Sequence, residues 1–359
     1  MREKSIELLR ELSEAHGVSG YEDEVRAIFV NELEDVGDFS TDGLGSVFCE
    51  VAGDGPRVMI GGHMDEVGFR VQNITPDGFL QFVPMGGWWE HTLLAQRVEI
   101  LTRSGVKLPG VIASRPPHFL PEAQRRQLMS IEDMFIDVGA VSRREVEERM
   151  GIALGDPIAP WSPFTQLGKN DWLMGKAFDN RAGMAATIQA GLRLASGPRE
   201  NTLILAGTVQ EEVGLRGAKT AAVKMAPDVV LVLEGPPADD TPGFNRTESQ
   251  GRLGGGAQIR MQDPSAVMSP RLVELAIRVA QEEGIPYQVT VRRSGGTDAG
   301  SFHVSGEGVP CIVIGVPARY IHSHNAIIDL NDYQHCVELT VALARRLDGP
   351  TVAGLTRFL

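Results

Sequence analysis

Cysteine is scarce in this chain: Cys49, Cys311 and Cys336 are the whole complement in 359 residues. They form no CxxC pair and no disulfide-framework spacing, which excludes a cross-linked secreted scaffold and fits a reducing cytoplasm. Each reads as a buried structural thiol. Basic residues are also in deficit. Lys and Arg number 34 against 47 Asp and Glu, a formal net charge of −13, and no Lys/Arg cluster offsets that field. Nucleic acid and anionic membrane are therefore excluded as partners, and the acidity reads as solubility. Long apolar runs are missing too. Residues 1–10 alternate charge with an amphipathic period, no later segment approaches a membrane span, and there is neither an internal repeat nor a low-complexity tract. What remains is a soluble cytoplasmic chain long enough for two domains, or for one large domain carrying an insertion.

The pattern along the chain favours the insertion. Residues 6–13 and 22–34 carry helical periodicity, and 46–51 and 57–62 read as strands joined by Gly53-Asp54-Gly55-Pro56. From about 69 to 163 the texture changes to short β-like pieces at 69–72, 78–82, 97–101 and 110–112, with one charged, exposed helix at 142–150. After about 165 strands and helices alternate again: an Ala-rich helix at 182–195, strands at 202–209 and 229–233, a helix at 270–283 capped by Ser269, a strand at 310–315, and a closing helix at 332–347 capped by Asn331. This is an α/β reading, a three-layer α/β/α domain on a mostly parallel sheet, with a small β domain inserted. The expected division is 1–69 and 165–359 for the catalytic domain and 70–164 for the insert.

Two apolar runs stop abruptly in metal-binding side chains: 57–62 runs into His63-Met64-Asp65, and 202–209 runs into Gln210-Glu211-Glu212. In an open α/β sheet the ligand crevice lies beyond the carboxyl ends of the strands, so groups placed there from distant parts of the chain converge. His63 and Asp65 are two apart on an extended end. The carboxylate can therefore take the second N–H of the imidazole and fix its metal-binding tautomer. Glu211 and Glu212 are adjacent and diverge, so one can bind a cation while the other faces substrate or water. Asp179, at the start of the 182–195 helix, is either its N-cap or a bridge between two metals. Glu234 ends the 229–233 strand, and His322 follows the 310–315 strand with His324 as a competitor for any ligand role. Three carboxylates, Asp179, Glu212 and Glu234, with one bound hydroxide would neutralise two divalent cations, which suits a two-metal site better than one metal.

Gly62-His63-Met64-Asp65-Glu66-Val67-Gly68-Phe69, Lys176-Ala177-Phe178-Asp179-Asn180-Arg181, Glu211-Glu212-Val213-Gly214-Leu215-Arg216-Gly217-Ala218, Gly295-Gly296-Thr297-Asp298-Ala299 and Arg319-Tyr320-Ile321-His322-Ser323 together resemble the motif series of the TET-type dinuclear aminopeptidases. That family spans glutamyl, leucyl and deblocking aminopeptidases, with some relatives labelled endoglucanase or cellulase. The resemblance implies an α/β catalytic domain interrupted by a PDZ-like β domain used in dimerisation. It also implies that His63 and Glu234 hold one metal, Glu212 and His322 the other, and that Asp179 bridges them. Asp65 would orient His63, and Glu211 would be the general base. Two positions depart from the family's usual pattern: Glu234 stands where aspartate is commoner, and His324 where proline usually follows Ser323.

The expected reaction is removal of N-terminal residues from peptides. A water shared by two divalent ions has its pKa lowered toward roughly 7, and Glu211 would take its proton and later pass it to the leaving amine. One imidazole per metal with carboxylates suits zinc, cobalt or manganese. Homodimers that build a tetrahedral dodecamer are implied by the resemblance. The competing readings are a metal-independent glycoside hydrolase, which would leave His63 and His322 without a task, and a catalytically silent metal-binding assembly protein.

Overall fold

The structure, a computed structural model, describes residues 2–168, 171–245 and 247–359. Helices α1 (Arg2–Glu14) and α2 (Asp23–Glu32) open the chain, and strands β1 (Asp38–Thr41), β2 (Val47–Val51) and β3 (Arg57–His63) follow. Strand β3 is buried from Val58 to His63, as expected of a strand covered on both faces.

The chain then leaves the sheet to build a closed six-stranded barrel from β4 (Gly68–Ile74), β5 (Leu80–Met85), β6 (Arg97–Leu101), β7 (Lys107–Ala113), β8 (Phe135–Asp137) and β9 (Pro157–Pro160), with the short helix α3 (Glu122–Arg125) between β7 and β8. Every pairing in it is antiparallel. Inward-facing Phe69, Val71, Leu80, Phe82, Val98, Ile100, Ile112, Ile136 and Ile158 give the barrel its own core, separate from that of the rest of the chain. The charged helix expected at 142–150 is present over Glu145–Met150, wound as a π-helix.

Strands β10 (Thr165–Leu167) and β11 (Trp172–Gly175) lead into α4 (Phe178–Ala195), then β12 (Thr202–Thr208), α5 (Arg216–Met225) and β13 (Val229–Glu234). Strands β14 (Ala257–Asp263) and β15 (Ala266–Val267), helix α6 (Pro270–Glu282), strand β16 (Tyr287–Val291), helix α7 (Ala299–Phe302) and strand β17 (Cys311–Gly315) follow. The chain closes with β18 (Ala318–Arg319), β19 (Ala326–Asp329), α8 (Leu330–Ala344) and α9 (Gly349–Leu355). The main sheet runs β1-β2-β12-β3-β13-β17-β14-β15, with β16 beside β14. Its middle four strands, β12, β3, β13 and β17, are parallel, and the edges are antiparallel apart from the β14–β16 pair.

Helices α4 and α8 pack together over one face of the sheet, and α5 and α7 pack together over the other. The small residues of α4, among them Ala182, Gly183, Ala186 and Gly191, let it lie directly on the strands. Closing helix α8 starts earlier than the periodicity suggests. Its cap is Asp329, whose Oδ1 accepts from the Asn331 N–H at 2.7 Å, because the backbone of Asn331 is already helical. The three cysteines are free and buried. Among the described residues no helix is long and apolar enough to cross a membrane.

Candidate metal centre

Three adjacent parallel strands, β12, β3 and β13, deliver their carboxyl ends to one cleft. Strand β3 ends on His63, in register with Thr208 of β12, and β13 ends on Glu234. Past Thr208 the chain turns at Gln210 (φ 57°), and this throws Glu211 and Glu212 back across the strand ends. Asp179 arrives from the start of α4. Its backbone is not helical, and the Asp179–Asn180 peptide is cis. The helix is capped by Asn180, whose Oδ1 accepts from the Gly183 N–H at 3.0 Å while its Nδ2 donates to the Leu233 carbonyl at 2.8 Å. Asp179 is thereby released from capping. His322 comes from the loop between β18 and β19, at φ 55°.

These side chains form two overlapping groups of donor atoms, His63–Asp179–Glu234 and Asp179–Glu212–His322, each within 4.8 Å. His63 Nε2 lies 3.2 Å from Asp179 Oδ1 and 3.5 Å from Glu234 Oε1. His322 Nε2 lies 3.4 Å from Asp179 Oδ2 and 3.3 Å from Glu212 Oε1. The two oxygens of Asp179 thus face different imidazoles. Glu211 belongs to neither group. It sits beside them, with Oε2 3.9 Å from His63 Nε2. His324, the rival candidate, is buried outside both groups.

A second layer holds the donors. Asp65, fully buried, lies 3.4 Å from His63 Nδ1, and its oxygens accept from the backbone N–H groups of Glu211 (2.9 Å) and Glu212 (3.2 Å) and from Ser19 Oγ (2.6 Å). The Asp65 backbone carbonyl is nearer still to His63 Nδ1, at 3.0 Å, so one residue ties an imidazole to the turn that bears the paired glutamates. His322 Nδ1 is 2.9 Å from the Gly87 carbonyl, which comes from the barrel. Behind the site Glu66 holds Lys176 (2.5 Å) and Arg181 (3.1 Å), all three buried. Thr208 Oγ1 donates to Asp298 Oδ2, which places the Gly295-Gly296-Thr297-Asp298 loop against the floor. Ser19 and Gly87 stand outside the motifs, and although Glu66, Lys176 and Arg181 lie within them, their pairing is not readable from the sequence. Only the folded chain brings them here.

Electrostatics show what the cluster is short of. Burial raises the carboxyls of Glu211, Glu212 and Glu234 above their ordinary range, and for Glu211 the neighbouring Glu212, Asp298 and Glu234 add to the rise. Burial also pushes Asp298 up to about 7. Burial opposes charge on His322, but hydrogen bonds to Asp179 and Glu212 lift it to about 11. Burial likewise opposes charge on His63, yet Glu211 and Glu234 raise it well above its ordinary value. Asp179 resists burial and is lowered by His322 and His63. Among the described residues no lysine or arginine pairs with Asp179, Glu212 or Glu234; their cationic partners are the two imidazoles alone. The donor set, three carboxylates and two imidazoles around a shared aspartate, fits divalent cations. A cleft of about 510 Å³ opens onto it, lined on its far side by Arg260 and the 294–297 loop.

An open α/β sheet that gathers imidazoles and carboxylates beyond its parallel strand ends is the architecture of an α/β hydrolase with its cleft at those ends. Within that class the chain belongs to the M42 glutamyl aminopeptidase family, whose sequence profile matches residues 45–339. It is 36% identical over 357 residues to the glutamyl aminopeptidase of Lactococcus lactis subsp. cremoris (strain MG1363), covering 98% of each chain. Identity to the lysyl aminopeptidase of Pyrococcus furiosus is 35% over 350 residues, 95% of this chain and 97% of that one. Among solved structures, the TET aminopeptidase from the marine sediment archaeon Thaumarchaeota archaeon SCGC AB-539-E09 superposes with a TM-score of 0.96 at 43% identity, covering 99% of each chain. The Pyrococcus horikoshii TET1 peptidase, described as assembling into a tetrahedron or a large octahedral shell, gives 0.85 at 31% identity over 96% of this chain and 100% of that one. A structure from Thermotoga maritima that carries the name endoglucanase gives 0.78 at 30% identity, over 97% and 99%. The resemblance drawn from the motifs, endoglucanase-named relatives included, is borne out.

Proposed function

We propose that this chain is a dinuclear metallo-aminopeptidase that removes N-terminal residues from peptides. The observation that carries this reading is the sharing of Asp179 between two donor groups, with the half-buried Glu211 next to His63 and a member of neither. His63 and Glu234 would hold one ion, Glu212 and His322 the other, and Asp179 would bridge them. Zinc, cobalt and manganese all suit these ligands. Bound there, the ions supply Lewis acidity toward the scissile carbonyl and toward water.

The chain's own residues do the rest. Glu211 takes a proton from the attacking water and returns it to the departing amine, so the carboxylate is unchanged over a cycle. Asp65 keeps His63 in the tautomer that presents Nε2 to the cleft and fixes the backbone of Glu211 and Glu212. The excess of carboxylates draws in the ammonium of a free N-terminus. A dimer that assembles into a tetrahedral dodecamer is the quaternary form we infer, supported by the relatives described as a tetrahedron and as a dodecamer. Light scattering would then report twelve chains per particle, and a particle of one chain would count against it.

A panel of aminoacyl-p-nitroanilides, assayed with and without a chelator, tests the reading. Hydrolysis of at least one member should vanish with chelator and return with added zinc, cobalt or manganese. Chelator-resistant hydrolysis, or none with metal bound, would contradict it.

A further inference from the structure

The barrel reaches into the candidate metal centre at one place, the Gly86-Gly87-Trp88 segment after β5. The Gly87 carbonyl meets His322 Nδ1 at 2.9 Å, and a Cβ built on Gly87 would lie 3.3 Å from that same nitrogen, so the segment is in contact with the imidazole. Trp88 is fixed to the barrel: its Nε1 donates to the Gly68 carbonyl at 3.0 Å, and its ring stacks on Phe69 at 4.7 Å. The other face of the contact is His324, buried at 2% exposure, with its ring centroid 5.6 Å from that of Trp88.

The loop bearing His322 needs such support. Tyr320 and His322 both hold positive φ, 59° and 55°, conformations that non-glycine residues keep only when surrounding contacts over-determine them. Ser162, just past β9, supplies another tie, its Oγ donating to Asn325 at 2.7 Å. His63 has no comparable link, because Asp65 and the catalytic domain hold it.

We infer that Trp88 and His324 are positioning residues: their ring contact clamps the strained 320–324 loop to the barrel and so sets the Asp179–Glu212–His322 donor group selectively, leaving the His63–Asp179–Glu234 group to the sheet. The inference rests on the two-metal reading above. It makes the inserted barrel a contributor to one half of the centre.

Titration of metal-free protein with cobalt, followed by calorimetry and by the visible absorption of the bound ion, tests it. The parent should show two binding steps. His324→Ala and Trp88→Leu should each weaken one step by at least about tenfold, the usual effect of losing an outer-shell support, and leave the other unchanged. Excess cobalt should restore hydrolysis. His324→Phe, which keeps a buried ring, should behave as the parent and shows that the fold tolerates change there. Equal weakening of both steps, or two steps as tight as the parent's in both His324→Ala and Trp88→Leu, overturns the inference. A parent that binds no pair of ions overturns the two-metal reading instead.

Discussion

Glu211→Gln exchanges one oxygen for an amide nitrogen at nearly constant volume, so it removes a proton acceptor and leaves both donor groups whole. We expect kcat to fall by roughly 10²–10⁴ with metal content unchanged, read by steady-state kinetics alongside elemental analysis; a variant that keeps its turnover would take the base role away from Glu211. At this scale the clustering was legible because His63, the Glu211-Glu212 pair and Glu234 all stand at strand ends, where an apolar run gives way to a side chain able to bind a metal. The choice at Asp179 between cap and ligand was not, since Asp and Asn both cap helices. The fold gives the cap to Asn180, one residue later, which leaves Asp179 free for the role proposed. Nor could spacing rank His322 above His324, two alternating histidines that meet Gly87 and Trp88 of the barrel, more than two hundred residues upstream.

Among the elements, the N-terminal helices join the site through a buried ion cluster. Glu66 follows Asp65, bonds backbone to backbone with Gly17 at 2.9 Å and holds the side chains of Lys176 and Arg181, which in turn donate to the carbonyls of Ala15 and Leu12 at 2.7 Å each. Replacing Glu66 by Gln keeps the shape and strands two buried cations. The loss of stability should be about 3–5 kcal/mol, measured as a lower denaturation midpoint; an unchanged midpoint would show that the two cations need no counter-charge. The parallel strands β3, β12 and β13 and the helix α6 declare themselves by apolar run and periodicity. Strands β14 and β16 do not. Buried Gln258, Arg260 and Asp263 interrupt the apolar pattern of β14, and Arg260 is tolerated there because Asp263 pairs with it at 3.0 Å. Helix α5 hid behind Gly214-Leu215-Arg216-Gly217, which reads as a turn and is in fact the entry to the helix.

For the whole molecule, the packing of barrel against catalytic domain has a pH signature. Burial, aided by Lys176, holds the His16 imidazole down at about 3, and burial holds that of His324 down at about 4. Both values lie below the ordinary 6.5, so the unfolded chain binds more protons than the folded one between them, and stability is lost as pH falls through that window. Asp332 and Glu22, each raised to about 7 by burial, act in the opposite sense, their contribution falling as pH rises toward 7. The histidine part is therefore read as a difference. Relative to the parent, His16→Leu should gain stability steadily as pH is lowered from about 6.5 toward 4, followed by urea denaturation at each pH; a constant difference would mean that His16 is not held neutral. An inserted β unit in an α/β chain was visible from texture alone, since Gly- and Pro-punctuated short strands replace the helical period.

The proposed function depends on two cations meeting across Asp179. Crystals grown with zinc and measured at its absorption edge address that most directly. The account predicts two anomalous peaks in each chain, one among His63, Asp179 and Glu234 and the other among Asp179, Glu212 and His322. A single peak, or peaks lying away from Asp179, would contradict it.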